Sequence, residues 1–100
     1  MYTIKENPEF TVVEIDLSQL PDGVADVSSL EAYIKQAPAV DCRKGVILSG
    51  RCPIWLMAAL AHEYHATRWV ATFDPRLGGG VVVSRHHKQA PDIGAVILLS

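Results

Sequence analysis

The chain has 100 residues, of which 49% are hydrophobic, enough to build one compact domain around a core and too few for two. Its formal net charge of −2 argues against a broad basic coat for duplex DNA or a membrane surface. A local anion site stays open, because four arginines and four histidines fall between Arg51 and His87.

No apolar run reaches the roughly twenty residues of a membrane span, and the N-terminus lacks a secretory leader pattern, so a cytoplasmic protein is expected. Cys42 and Cys52 flank one strand segment and would lie about 30 Å apart along a straight strand, too far to bridge. Two free thiols in a reducing compartment follow.

In chain order, Tyr2–Lys5 opens a strand that Asn7-Pro8 punctuates. Phe10–Leu17 is β-branched and alternates over Val13, Ile15 and Leu17, which predicts a half-buried strand. Pro21-Asp22-Gly23 is a turn, with proline presetting φ and glycine taking the positive φ. Ser28 or Ser29 is placed to cap a short helix over Leu30–Gln36, and Pro38 ends it. Gly45–Ser49 is continuously apolar, the pattern of a central strand covered on both faces.

A second helix is predicted from Pro53 to His65, since proline suits a first helical turn. Trp55, Ala58, Ala59, His62 and Ala66 share one side of it, and Leu56, Leu60 and Glu63 another. The alanines would let the helix lie close on a sheet. Trp69–Phe73 and Val81–Ser84 form a hairpin, Pro91–Gly94 turns the chain, and Ala95–Leu99 is a final buried strand. The order β-β-α-β-α-β-β-β predicts an α/β fold, a mixed central sheet flanked by two helices.

Residues capable of chemistry gather at the ends of these elements. Ser49-Gly50-Arg51 lies where a buried strand feeds a helix, a place where free backbone N–H groups, the helix dipole and a planar guanidinium favour an anion. The alternative is a tight turn beside a solvated arginine. His62 and His65 are three apart and can share a face, yet they lack the HExxH spacing of a zinc helix. More often such a pair is a packed ring and a helix-end cation interacting with the C-terminal dipole. Asp74-Pro75-Arg76 can supply a general base or hard metal ligand with a phosphate-binding arginine, or merely an Asx turn. Gly78-Gly79-Gly80 is either hairpin chemistry or a close backbone approach to a ligand. Arg85-His86-His87-Lys88 is a basic cluster at a strand end, or a solvated loop. Jointly, these ends make phosphate chemistry the leading class.

The run GVILSGRCPIWLMAALAHEYHATRWVATFDPRLGGGVVVSRH, with the preceding DCRK, resembles the Csx-three family of CRISPR-associated proteins. The matching patterns are SGR-x-P-x-W, the AH-x-x-H helix end, DPRLG and VVV-x-x-H, over residues 41 to 87. The resemblance implies a domain related to the CARF fold and a manganese-dependent ring nuclease that cleaves cyclic tetra-adenylate in type III CRISPR signalling. It also implies a homodimer that stacks head-to-tail into tetramers or filaments on its ligand, and for some members 3′ exonuclease action on short adenylate-rich RNA. By motif position, His65 and Asp74 would be catalytic and candidates for the metal, while Ser49, Gly50, Arg51, Arg76 and His86 would contact the ligand. The triple glycine is one residue longer than the family pattern.

The predicted topology has a geometric consequence. A helix of about 13 residues is about 20 Å long, so it starts beside Ser49 and Arg51 and carries His65 to the opposite edge of the sheet. The next strand returns Asp74 and Arg76 to the first edge, and the hairpin takes His86 back to His65. Both clusters can act on one phosphodiester only when they come from different molecules. A binding module that hydrolyses nothing is the competing expectation, since binding needs only the arginine and glycine edge.

Overall fold

The computed structural model describes residues 1–99. Six strands form one mixed sheet: β1 (Tyr2–Glu6), β2 (Phe10–Ile15), β3 (Gly45–Ser49), β4 (Trp69–Asp74), β5 (Gly79–Arg85) and β6 (Val96–Leu98). They lie side by side in chain order. β2, β3 and β4 are parallel, and the flanking pairs β1·β2, β4·β5 and β5·β6 are antiparallel. Two helices, α1 (Leu30–Lys35) and α2 (Ile54–Glu63), make the parallel crossovers. The α/β class and the order of elements are those expected.

Crossovers of one hand that step in one direction along a sheet place their helices on the same face. Both helices do lie there. Tyr33 of α1 and Leu56 and Leu60 of α2 share a buried cluster with Val13, Ile15, Val46, Leu48 and Val70. The opposite face gathers Phe10, Val12, Ile47, Trp69, Ala71 and Val82, and the C-terminal Ile97 and Leu99 pack against it. β3 is central as predicted, with Val46, Ile47 and Leu48 wholly buried.

Five expectations change. β2 is buried on both faces rather than half-buried, because it sits one strand inside the edge with β1 on one side and β3 on the other. It ends at Ile15, and Leu17 enters a 3-10 turn capped by Asp16. No serine side chain caps the N-terminus of α1; the preceding 3-10 turn is capped by Asp26, which accepts from Ser28 N at 3.0 Å. The alanine side of α2 does not face the sheet: Leu56, Leu60 and Tyr64 are buried, whereas Ala58, His62 and Ala66 are exposed. Leucine at i and i+4 removes more apolar area from water than alanine does, so that stripe wins the core. Finally, β6 is an edge strand, with Val96 and Leu98 exposed and only Ile97 packed inward.

Glycines allow the tight packing of the far face. A Cβ at Gly45 would sit inside the Trp69 indole, 1.9 Å from Cε2. One at Gly79 would lie 2.5 Å from the Ile97 carbonyl oxygen. Gly79 therefore admits the protein's own β6, while Gly78, at φ +66°, takes the turn ahead of it. Both cysteines are free thiols, as expected. Among the described residues no helix is long and apolar enough to cross a membrane.

Candidate functional site

The parallel strands β2, β3 and β4 end at one edge, the side where parallel sheets commonly receive ligands. Glu14 pairs with Ser49 and Leu48 with Thr72, so Ser49-Gly50-Arg51 and Asp74-Pro75-Arg76 emerge together. Gly50 has φ +133°, and a Cβ there would meet the Ile15 carbonyl oxygen at 2.3 Å. The chain thus leaves β3 pressed against the end of β2, a path open to glycine. Beyond it Pro53 caps α2 without a side-chain hydrogen bond, leaving first-turn N–H groups free for an acceptor.

Arg51 is exposed and makes no side-chain hydrogen bond or ion pair among the described residues. It lines a 590 Å³ groove with Ile15, Asp16, Ser18, Val24 and Cys52. Burial pushes the Cys52 thiol up, which keeps it protonated and unreactive at neutral pH. Asp74 Oδ1 accepts the Arg76 backbone N–H at 2.9 Å, and Asp74 Oδ2 lies 3.6 Å from Arg76 Nη2. That backbone bond is the chief reason its carboxyl is held below the usual carboxylate range. Its carbonyl accepts from Leu77 and Gly78. Asp74 is therefore ionised and shapes an Asx turn, with one carboxylate oxygen left only loosely paired.

At the other edge stand His65 and His86. His65 Nδ1 lies 2.9 Å from the carbonyl oxygen of His62. A carbonyl can only accept, so Nδ1 carries a proton, and in the neutral ring Nε2 is the nitrogen that presents a lone pair. The His62 and His65 rings are stacked, with centroids 5.4 Å apart and planes 16° from parallel. Stacked rings do not converge on one ion. The His86 backbone N–H donates to the Arg68 carbonyl at 3.1 Å, tying the end of β5 to the entry of β4. Arg85 is exposed, as a solvated loop would have it, yet committed: it donates to the carbonyls of Lys88 and Ala90 at 2.6 and 2.9 Å and to Asp92 at 3.2 Å, bracing the loop that carries His86 and His87.

Asp74 and Trp69 mark opposite ends of β4, and five strand steps span about 16 Å. Ser49, Gly50, Arg51, Asp74 and Arg76 therefore form one group, His65 and His86 another, and a single protomer does not bring them together. Among the described residues no three His, Cys, Asp or Glu side chains are grouped to hold a metal ion. Asp74 and His65 do not fit one manganese ion within a protomer. The sequence motifs also passed over Arg68, whose main chain accepts from His86 and donates to the Lys44 carbonyl at 3.1 Å. Its position just ahead of a strand was the available signal.

A family profile described as CRISPR-associated protein (Cas_csx3) matches residues 21–98. An uncharacterized protein of Aquifex aeolicus (strain VF5) is 39% identical over 93 residues, covering 89% of this chain and 80% of that one. The match spans both edges of the sheet, and the chain belongs to the CRISPR-associated csx3 family.

Proposed function

We propose that this protein is a ring nuclease, a manganese-dependent phosphodiesterase that opens cyclic tetra-adenylate and so silences type III CRISPR signalling. The observation that carries the proposal is the separation of its two sets of functional groups to opposite sheet edges. Such a layout suits a site completed between molecules, with the ligand held between the Asp74 edge of one dimer and the His65 edge of the next. A two-fold dimer also matches a two-fold symmetric ring of four nucleotides.

In that site the unpaired Arg51 and the Arg76 guanidinium would hold phosphate oxygens and offset charge developing on the scissile group. Ser49 and the Gly50 main chain would complete the cradle. His65 would take a proton on Nε2 from the attacking hydroxyl, its ring held by the His62 carbonyl, and His86 would contact the ligand beside it. Manganese would supply Lewis-acid stabilisation of the phosphate, with Asp74 as its ligand; His65 could join it only from another molecule and only in place of acting as the base, since Nε2 has one lone pair.

A sensor that binds cyclic oligoadenylate and hydrolyses nothing is the second reading. It is favoured by one observation, the commitment of Asp74 to its own turn. Labelled cyclic tetra-adenylate, incubated with and without manganese, separates the two. The test includes His65→Ala, Asp74→Ala and an equal mixture of the two variants. Ring opening that needs manganese, fails in each variant and partly returns in the mixture is the expected result. Binding without turnover in every condition would assign the sensor role. Degradation of short adenylate-rich RNA from its 3′ end, with the ring left intact, would assign an exoribonuclease.

A further inference from the structure

A second concave site lies apart from the residues assigned above. It is a 520 Å³ groove on the far face of the sheet, lined by Pro8, Pro91 and Trp69 among others. Glu9, Arg68 and Gln89 line it too. The volume is that of a small-molecule pocket. Its charges are the informative part. Other cations nearby are committed: Arg43, also on the groove, to Asp41 at 3.0 Å, Lys44 to Glu6 at 2.9 Å, and Arg85 to the 85–92 loop. Arg68 and Glu9 make no side-chain hydrogen bond or ion pair with each other or with any other described residue. An unpaired guanidinium and an unpaired carboxylate thus share one groove with two prolines and a tryptophan.

We infer that this groove binds a nucleoside monophosphate unit whose base carries an amino group, with Arg68 on the phosphate and Glu9 on the exocyclic amine. The planar ring would lie between Pro8 and Pro91, and the Gln89 amide would offer a donor and an acceptor to the base edge. Naming that unit as adenylate, from substrate or product, rests on the ring-nuclease reading; the phosphate and amino recognition does not. The groove is joined to the His65 edge through Arg68, whose carbonyl holds His86. It can therefore hold a nucleotide beside His86 without belonging to the Arg51 cradle.

The test is an NMR titration of isotopically labelled protein with AMP, UMP and orthophosphate, following the Trp69 indole and the Gln89 amide. AMP should shift both signals, UMP should bind several-fold more weakly, and orthophosphate more weakly again. Arg68→Gln should weaken AMP binding by about tenfold or more, the effect of losing a charge-assisted bond. The Arg68 contacts to Lys44 and His86 are main-chain bonds, so this variant keeps its fold, which its own spectrum reports. Glu9→Gln should narrow the gap between AMP and UMP. Silence at Trp69 and Gln89, equal binding of orthophosphate and AMP, or unchanged affinity in Arg68→Gln would overturn the inference. Ring cleavage plays no part in this readout. AMP binding without ring cleavage would sink the nuclease proposal and leave the groove standing; cleavage without AMP at the groove would do the reverse.

Discussion

The imidazole Nδ1 of His65 is held 2.9 Å from the backbone carbonyl of His62, so the tautomer of His65 is set by main chain rather than by a side chain. His62→Ala keeps that carbonyl. It should leave ring cleavage within a few-fold of the parent, whereas His65→Ala should reduce it about a hundredfold or more, as expected for loss of a general base. Nitrogen NMR of the neutral His65 ring should report a protonated Nδ1. Protonation at Nε2 instead would remove His65 as the base.

A site shared between molecules makes rate depend on assembly. Activity should rise faster than linearly with protein concentration at low concentration and become linear once the stacks are saturated. Initial rates over a wide dilution series measure this. Strict linearity down to the most dilute protein, where no stack can persist, would rule out the shared site.

Gly50 combines φ +133° with a Cβ position 2.3 Å from the Ile15 carbonyl. Gly50→Ala should cost about 2 kcal/mol or more, from backbone strain and displacement of β2. Gly78 has φ +66° with nothing within 4 Å, so Gly78→Ala should cost only about 1 kcal/mol. Chemical denaturation of the two variants compares them. Equal losses would mean that the close approach to Ile15 contributes nothing.

The burial of α2 by its leucines can be read directly. Leu60 is wholly buried and Ala58 is exposed. Leu60→Ala should lose about 2–5 kcal/mol by leaving a cavity, while Ala58→Ser should stay within about 0.5 kcal/mol. Denaturant midpoints that reverse this order would put the alanine side on the sheet after all.

Acid should remove one surface contribution at a defined pH. The Arg43 side-chain hydrogen bond holds Asp41 down to about 2, below the ordinary carboxylate value near 3.9. A depressed folded-state pKa stabilises above the unfolded value and is lost as pH falls through the folded one. Asp41→Asn should therefore flatten the stability curve between about pH 4 and pH 2 without altering its shape above pH 5. Because the pair is exposed the change will be small. A parent curve that is already flat there would contradict it.

Much of the fold was legible in local patterns. The six strands and two helices announce themselves through runs such as VILS and TVVEI, and Pro53 marks the start of α2 because a missing N–H is harmless there. The gathering of Ser49, Arg51, Asp74 and Arg76 at one edge followed from two parallel strands joined by a helix. It needed only element lengths. Other features depend on which surfaces meet. The helical wheel of α2 offers two plausible faces, and only the opposing Val46, Leu48 and Val70 select the leucines. Asp26, rather than a serine, caps the turn before α1 because the chain arrives there extended.

The groove holding Arg68 and Glu9 lay furthest from view. Its members come from positions 8 to 97, and no spacing rule links a turn after β1 to a loop after β5. Local propensity and periodicity are properties of neighbours along the chain, and so they determine elements, strand ends and the residues those ends carry. Which charges remain unpaired, and which glycines admit another strand, is decided by the curl of the sheet that brings β6 over Ile47 and Trp69. That curl arises from packing between segments distant in sequence.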